Sequence, residues 1–222
     1  MVNIIYKDEY LVIVNKAAGI PSQQDKSGDK DAISLCAELL ASNGENSELH
    51  IINRLDRVVG GLILLARSSK CSAELSCLIE SDISKEYYAV VEGDPGEGIM
   101  EDYLCKDAIL GKAYVVKTGT KGAKTARLEY KTLATKEQQG KIVSLVKIKL
   151  LTGRFHQIRV QFSSRKMPIL GDKKYGSKDF RAKMPSLFAA RLKFEYKSHL
   201  IEAKALPNLD LYPWSLFTTD SF

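Results

Sequence analysis

The most constraining feature of this chain is a succession of strand patterns with no helical pattern between them. Residues 124–133 alternate polar and apolar side chains, and residues 141–151 repeat the alternation with lysines facing outward. Shorter β-favouring runs occupy residues 85–92 and 114–117. Strands that follow one another without crossover helices pair antiparallel, because parallel neighbours need a long connection. The pattern therefore predicts an α+β fold with a mixed, mainly antiparallel sheet flanked by helices and loops.

Apolar spacing elsewhere in the chain predicts elements that frame this sheet. These are three helices over residues 31–42, 68–82 and 154–164, a hairpin formed by residues 4–6 and 11–14, and a late strand over 187–194. The chain shows no internal repeat and no interdomain linker, and 222 residues lie within the size of one hydrophobic core. We therefore expect a single domain over residues 1–222.

Charge is distributed unevenly along the chain. The formal net charge is +6, but residues 1–105 hold 9 basic and 18 acidic residues, whereas residues 106–204 hold 24 basic and 7 acidic residues. Such polarity is typical of a protein that presents a basic face to a polyanion. The alternative is that the lysines are scattered over solvated strand faces, and charge by itself does not separate these two interpretations.

Composition argues against several classes of protein. The four cysteines form no C-x-x-C pair and have no metal-ligand spacing with the three histidines, so we expect no metal and reduced thiols. The first ten residues lack the pattern of a secretory signal. The longest apolar stretch, residues 60–66, is too short to span a bilayer. We therefore expect a soluble cytoplasmic protein.

The first segment that suggests chemistry is the string NRLDR at residues 53–57, just before an apolar strand that begins with two glycines. Its carboxylate, Asp56, lies between Arg54 and Arg57. Two guanidiniums lower the pKa of a carboxyl group and keep it ionised, as a nucleophile or a base requires. The alternative is a surface ion pair at the entry to a strand, since such strings are common.

A second candidate segment is residues 85–93, where alternation places Tyr87 on the same strand face as Lys85. A tyrosine in this position most often packs in a core. On its own, the segment therefore favours a structural role for Tyr87.

The third candidate segment is residues 150–159, in which Thr152 would cap a helix whose N-terminus carries Arg154. A helix N-terminus with an arginine suits an anion or a carboxylate. Further polar side chains follow at His156, Gln157 and Arg159. A capped helix with solvated arginines would explain the same residues.

Taken in order, these segments resemble the RluA family of RNA pseudouridine synthases, and the resemblance extends from residue 5 to about 194. It rests on five blocks in the family's order: DEYLVIVNKAAGIP at 8–21, NRLD with GLILLA at 53–66, K-x-Y-x-A-x-V-x-G at 85–93, TGRFHQIRV at 152–160, and PILGD with YG at 168–176. One such block is weak, but five in one order are specific. The resemblance implies the pseudouridine synthase fold, in a catalytic domain without the N-terminal S4 domain of many relatives.

The resemblance also implies roles for individual residues. Asp56 would be the catalytic aspartate, Tyr87 would pack against the target base, and Arg154 would pair with Asp56. Arg54 would fill the gap left when the uridine is flipped out of its stack. The whole RNA-binding set implied is Arg54, Arg57, His156, Gln157, Arg159, Lys173 and Lys174. The partner would be a structured RNA, tRNA or rRNA, bound by a monomer that needs no metal, cofactor or membrane.

This chain departs from the family pattern at several positions. Asn53 stands in place of His, Phe155 in place of Thr, and Phe188 in place of His, while Val58, Val59 and Gly60 replace a more polar approach to the strand. These departures motivate an alternative function, that of a catalytically impaired RNA-binding or RNA-folding protein that retains the fold. A hydrolase using Asp56 with His156 is a weaker alternative, since nothing in the sequence places these two groups together.

Overall fold

The computed structural model describes residues 1–79 and 82–222, and these form two compact units. The first unit comprises Met1–Lys85 and Phe188–Pro207, and the second comprises Glu86–Leu187 and Asn208–Phe222. Each unit is therefore assembled from two separate stretches of chain. The expectation of one catalytic domain over residues 1–222 stays a prediction.

Strands make up most of the regular structure of the described chain. In chain order the elements are β1 (Val2–Lys7), β2 (Leu11–Lys16), α1 (Ala32–Ser42), β3 (His50–Ile51), β4 (Gly60–Ala66), α2 (Ser69–Leu78), β5 (Ser84–Glu92), β6 (Glu97–Asp107), β7 (Lys112–Val116), β8 (Lys124–Gln138), β9 (Lys141–Leu150), α3 (Gln157–Ser164), β10 (Leu187–Tyr196) and β11 (His199–Lys204). Within the described residues, no helix is both long and apolar enough to cross a membrane.

The first unit is built on strands in the order β1-β2-β4-β10, with β3 paired to β4 and β11 paired to β10. All of these pairs are antiparallel except β4 with β10, which run parallel. The β1–β2 hairpin closes where Asp8 accepts hydrogen bonds from the backbone N–H groups of Tyr10 (2.7 Å) and Leu11 (2.9 Å). This Asx turn explains why a polar triplet separates the two apolar runs.

The core of the first unit packs α2 against the central strands. Strand β4 is buried along its whole length, which fits a continuous apolar run covered on both faces. The helices begin at capping side chains, since Asp31 accepts from Ser34 N–H (2.8 Å) at α1 and Ser68 accepts from Cys71 N–H (3.2 Å) at α2. Both predicted helices are confirmed, although α2 ends at Leu78. The part of its predicted range at residues 80 and 81 lies outside the described residues.

The second unit is built on strands in the order β5-β9-β8-β6-β7. Strands β9, β8, β6 and β7 pair antiparallel in this order. Val160 of α3 joins a buried cluster with Leu104, Ala126 and Tyr175. The predicted α+β class with a mixed, mainly antiparallel sheet is therefore confirmed.

Candidate functional site

Asp56 begins a tight turn in the first unit, between β3 and β4. Its carbonyl accepts from Val59 N–H at 2.9 Å, and its side chain is half-buried. Both backbone groups of the preceding residue, Leu55, are bonded to one side chain: Ser22 Oγ donates to Leu55 O (2.7 Å) and accepts from Leu55 N–H (3.0 Å). The backbone that carries the predicted catalytic carboxylate is thus fixed by hydrogen bonds.

Lys16 lies at the end of β2 and is fully buried. Its ammonium group donates to four backbone carbonyls, those of Ala17 (3.2 Å), Ile20 (2.8 Å), Arg57 (3.3 Å) and Val59 (2.6 Å). Burial lowers the pKa of Lys16 to about 8, although the nearby Asp56 carboxylate acts in the opposite direction. Lys16 therefore ties the hairpin end to the turn of Asp56.

Sequence reasoning gave Lys16 no role, although it stands in the first family block. The available signal was a lysine directly following the run LVIVN, at a position where the strand pattern requires a buried side chain. A lysine is almost never fully buried unless its charge is partnered. The position therefore predicts a set of acceptors around the ammonium group.

Asn53 connects the segment before Asp56 to the middle of β4. Its Oδ1 accepts from Leu64 N–H at 2.6 Å and its Nδ2 donates to Leu62 O at 3.4 Å. Asparagine supplies both a donor and an acceptor, as these two backbone groups require. The departure from histidine at this position is thus part of the support for the Asp56 turn.

The two glycines at the start of β4 allow it to approach its neighbours closely. Gly61 has φ +117°, and a Cβ there would lie 2.3 Å from Ala189 O on β10. A Cβ on Gly60 would meet the Phe188 ring and the Lys16 carbonyl at 3.3 Å. The departures at Gly60 and Phe188 therefore fit each other.

Both arginines next to Asp56 are exposed. Arg57 Nε donates to Gly19 O at 2.9 Å, and its guanidinium forms ion pairs with Asp29 and, at 3.6 Å, with Asp25. Both aspartates lie in the polar loop after β2, so Arg57 joins that loop to the turn of Asp56. The RNA contacts predicted for Arg54 and Arg57 stay predictions.

Tyr87 lies on β5 in the second unit and is buried. Ala89 and Val91 on the same strand face are buried too, as the alternation predicted.

Arg154 precedes α3 in a loop that other side chains hold in place. Its Nε donates to Thr125 O at 3.0 Å. The side chain of Gln157 accepts from Arg154 N–H (3.0 Å) and from the Thr152 hydroxyl (2.8 Å), and donates to Arg127 O (3.0 Å). Gln157 is buried, so its amide is used within the protein.

Two details of the predicted helix at residues 154–164 are wrong. The helix α3 starts at Gln157, because His156 before it has a left-handed backbone with φ 53°. Thr152 does not cap the helix, since its hydroxyl accepts from Arg127 N–H at 2.8 Å. Thr152 instead fastens the Arg154 loop to β8.

His156 packs into a small polar and aromatic cluster behind this loop. The Tyr175 hydroxyl accepts from Ala113 N–H (2.8 Å) and is also hydrogen-bonded to His156 Nδ1 (2.8 Å). Burial, followed by the charges of Arg159 and Lys174, lowers the pKa of His156 to about 3. The imidazole is therefore neutral near pH 7.

Arg159 is buried and forms a bidentate ion pair with Asp172, with N···O distances of 2.6 and 2.9 Å. Its guanidinium also lies 5.1 Å from the Tyr175 ring centroid. These partners join α3 to the PILGD segment. Lys173 and Lys174, in the short 3₁₀ turn that follows, are exposed, and Lys174 Nζ donates to Gly111 O at 3.0 Å.

The structure thus places the predicted site residues in two groups. Arg54, Asp56 and Arg57 lie on one turn of the first unit. The second unit carries Tyr87 on β5, the segment from Arg154 to Arg159, and the adjacent Lys173 and Lys174. The predicted pairing of Arg154 with Asp56 stays a prediction.

Comparison with known proteins identifies the family of this chain. The family model described as RNA pseudouridylate synthase matches residues 10–164. The chain is 29% identical over 180 residues to ribosomal large subunit pseudouridine synthase C of Rickettsia typhi, covering 79% of this chain and 57% of that protein. It is 32% identical over 197 residues to tRNA pseudouridine synthase C of Pectobacterium carotovorum, covering 85% and 52%. The chain therefore spans about half the length of these curated relatives.

Solved structures show the same fold. Human RNA pseudouridylate synthase domain containing 4 superposes with a TM-score of 0.74 at 22% identity, covering 93% of this chain and 89% of that one. Human RNA pseudouridylate synthase domain containing 1 superposes with a TM-score of 0.75 at 22% identity, covering 95% of this chain and 85% of that one.

Proposed function

Because this chain belongs to the RNA pseudouridylate synthase family, we propose that it converts a uridine in a structured tRNA or rRNA into pseudouridine. In this isomerisation the glycosidic N1–C1′ bond breaks, the uracil rotates, and C5 forms a new bond to C1′. The C5 proton is then lost to solvent and N1 takes up a proton, so the composition of the nucleotide does not change.

The observation that carries the proposal is the construction of the Asp56 turn. A half-buried carboxylate stands at the start of a turn whose neighbouring backbone is held by Lys16, Ser22 and Asn53. Catalysis requires a reacting group to be held in one geometry before the substrate arrives. Asp56 is accordingly assigned as the catalytic residue that starts cleavage of the glycosidic bond.

The other residues take supporting roles. Tyr87 packs against the target base, Arg154 pairs with the Asp56 carboxylate, and Arg54 fills the space of the flipped uridine. Gln157 and Arg159 are buried with partners inside the protein, so we assign them as positioning residues for the Arg154 loop.

Structured RNA is supported as the substrate class by the names of the relatives and by charge. One relative is named for the large ribosomal subunit and another for tRNA. The second unit holds 20 basic and 13 acidic residues, which suits a polyanionic partner.

The two alternative functions have less support. A binding protein without turnover was motivated by the altered residues near Asp56, but Asn53 and Gly60 both contribute to the hydrogen bonding and packing around that turn. A hydrolase would need His156 as a base. A histidine with a pKa of about 3, whose Nδ1 is already hydrogen-bonded to Tyr175, is a weak base near neutral pH.

The test is release of tritium from unmodified tRNA and rRNA transcripts that carry 5-tritiated uridine. We expect wild-type protein to release tritium and Asp56→Asn to lose at least about 1,000-fold in rate, as expected when a nucleophile or base is removed. Asp210→Asn is the matched control, because it neutralises an exposed carboxylate far along the chain and should leave the rate unchanged.

Two results would contradict the proposal. One is an absence of release by wild-type protein from every transcript, and binding of RNA without release would then favour the alternative of an RNA-binding protein. The other is an Asp56→Asn rate equal to that of wild type.

A further inference from the structure

Phe155 is an aromatic side chain in an exposed position, directly after Arg154. About 37% of the residue is accessible to solvent. Its ring stacks on the imidazole of His156, with centroids 3.8 Å apart and planes inclined by 20°. One face of this partly exposed ring is thus supported by the imidazole of His156.

The support behind Phe155 is rigid. His156 is held by its hydrogen bond to Tyr175, and the Tyr175 ring meets the imidazole edge-on with centroids 5.5 Å apart. Tyr175 is itself buried and bonded to Ala113 N–H. Phe155 is therefore the outermost member of an ordered stack, and its orientation is set before any ligand binds.

A lysine ammonium group lies over the outer face of the ring. Lys106 Nζ lies 4.4 Å from the Phe155 centroid, and His156 already covers one face, so the ammonium group lies over the other. The Lys106 side chain is exposed, and cation–π contacts at exposed sites are weak. A flat ligand can therefore displace this ammonium group.

We propose that Phe155 is a stacking platform for a nucleobase next to the target uridine, with Lys106 turning aside to the adjoining phosphate. The proposal rests on the proposed function, since it places this base beside Arg154. Aromatic faces bind the bases of unpaired RNA by stacking, while lysines follow the backbone. The exposed Phe155 ring offers a face for stacking one base, and the exposed Lys106 offers a cation for the phosphate of the adjoining nucleotide.

Such a platform would influence which RNA is used. Stacking accepts any base, because every base has a π face, but it requires that base to be unpaired. Phe155 would thus select uridines with an unstacked neighbour, as in a loop or bulge, without reading the identity of that neighbour.

The test compares binding to two short probes at one salt concentration, an oligouridylate and an abasic ribose-phosphate chain of the same length. We expect Phe155→Leu to weaken binding of the oligouridylate roughly 5- to 150-fold, the range that corresponds to loss of one stacked base, and to leave the abasic chain unaffected. Lys106→Met should weaken both probes equally. Phe180→Leu is the control, since Phe180 is also exposed with a lysine, Lys173, 5.4 Å from its ring.

A second variant keeps the result readable if Phe155→Leu alters the fold. Phe155→Trp should retain oligouridylate binding and add indole fluorescence that the oligouridylate quenches and the abasic chain does not. Equal effects of Phe155→Leu on both probes, or quenching by both probes alike, would overturn the proposal. Failure of tritium release by wild-type protein would contradict the proposed function while leaving this binding comparison intact.

Discussion

Single polar side chains, rather than apolar packing alone, determine the shape of the candidate site. Lys16 is the main example, because its ammonium group satisfies four carbonyls that bracket the Asp56 turn. Ser22 and Asn53 each bond backbone groups that belong to a different segment. A buried polar group that loses its partner is costly, so these residues specify one backbone arrangement and disfavour others.

His156 should make stability depend on pH. Its pKa is about 3 in the folded protein and about 6.5 when unfolded, so the unfolded chain binds more protons between these values. The stability gained from the neutral ring is complete above pH 6.5 and is lost as pH falls toward 3. Between pH 6.5 and pH 5, we expect the free energy of unfolding of the wild type to fall by about 1 kcal/mol more than that of His156→Asn. This figure allows for partial solvation of the ring.

The measurement for His156 is urea unfolding at a series of pH values. Asparagine is a suitable replacement because it tolerates the left-handed backbone and can accept from Tyr175, but does not titrate. The comparison with wild type cancels the titration of carboxylates common to both proteins. Parallel pH profiles of the two proteins would contradict the assignment.

At the residue scale, the sequence could identify candidate reactive side chains but not their hydrogen-bond and ion-pair partners. The string around Asp56 was found because a carboxylate between two guanidiniums is visible in five letters. The RNA contacts of Gln157 and Arg159 are implied by the family resemblance and stay predictions. Within the protein, Gln157 donates to Arg127 O and Arg159 pairs with Asp172, which lie 30 and 13 positions away in sequence, and only the fold brings these groups together.

At the scale of elements, the pairing of β4 with β10 requires a glycine at position 61. Gly61 combines φ +117° with a backbone contact that leaves no room for a methyl group. We expect Gly61→Ala to lower the free energy of unfolding by roughly 3–5 kcal/mol, because both the backbone conformation and the packing are violated. Urea unfolding measures the change.

Gly28→Ala is the matched control for this prediction. Gly28 also has a positive φ, +75°, but a Cβ there would meet nothing within 4 Å. Its substitution should cost only about 1 kcal/mol, the conformational part of the effect. Equal costs for the two variants would show that close approach of the strands is unimportant.

A helix or strand was predictable from sequence where its buried side chains recur with the period of that helix or strand. Strand β5 and helix α1 were found to within a residue because their buried positions follow periods of two and 3.6. Strand β6 was missed because most of its side chains are exposed and only Met100 and Leu104 are buried. Strand β11 was missed because its turn uses Lys197 and Ser198 at positive φ, where glycine or asparagine is the usual signal.

At the scale of the molecule, folding redistributes the charge that the sequence separates. The two halves of the sequence differ strongly in net charge, but the basic segment 188–207 belongs to the first unit together with the acidic N-terminal part. That unit holds 13 basic and 14 acidic residues, against 20 and 13 in the second. The excess positive charge therefore resides in the second unit.

RNA binding should accordingly depend on lysines of the second unit. Lys173 and Lys174 are exposed there, and we expect the double change to Gln to reduce the slope of log affinity against log salt by about 1–2. Filter binding of a tRNA transcript over a range of salt concentrations measures the slope. Changing the exposed Lys26 and Lys70 of the first unit to Gln removes the same charge, and an equal change in slope would refute the prediction.

The interrupted course of the chain has a consequence for its synthesis. Strand β4 leaves the ribosome early, but its parallel neighbour β10 follows only after the second unit's residues 86–187 have been made. At roughly 5–20 residues per second this interval lasts on the order of 5–20 s. During that time a wholly apolar strand has an uncovered edge on a nascent polypeptide, and such edges attract chaperones. The close contact of Gly61 with β10 can form only after β10 has been synthesised. Folding of the first unit is therefore limited by translation.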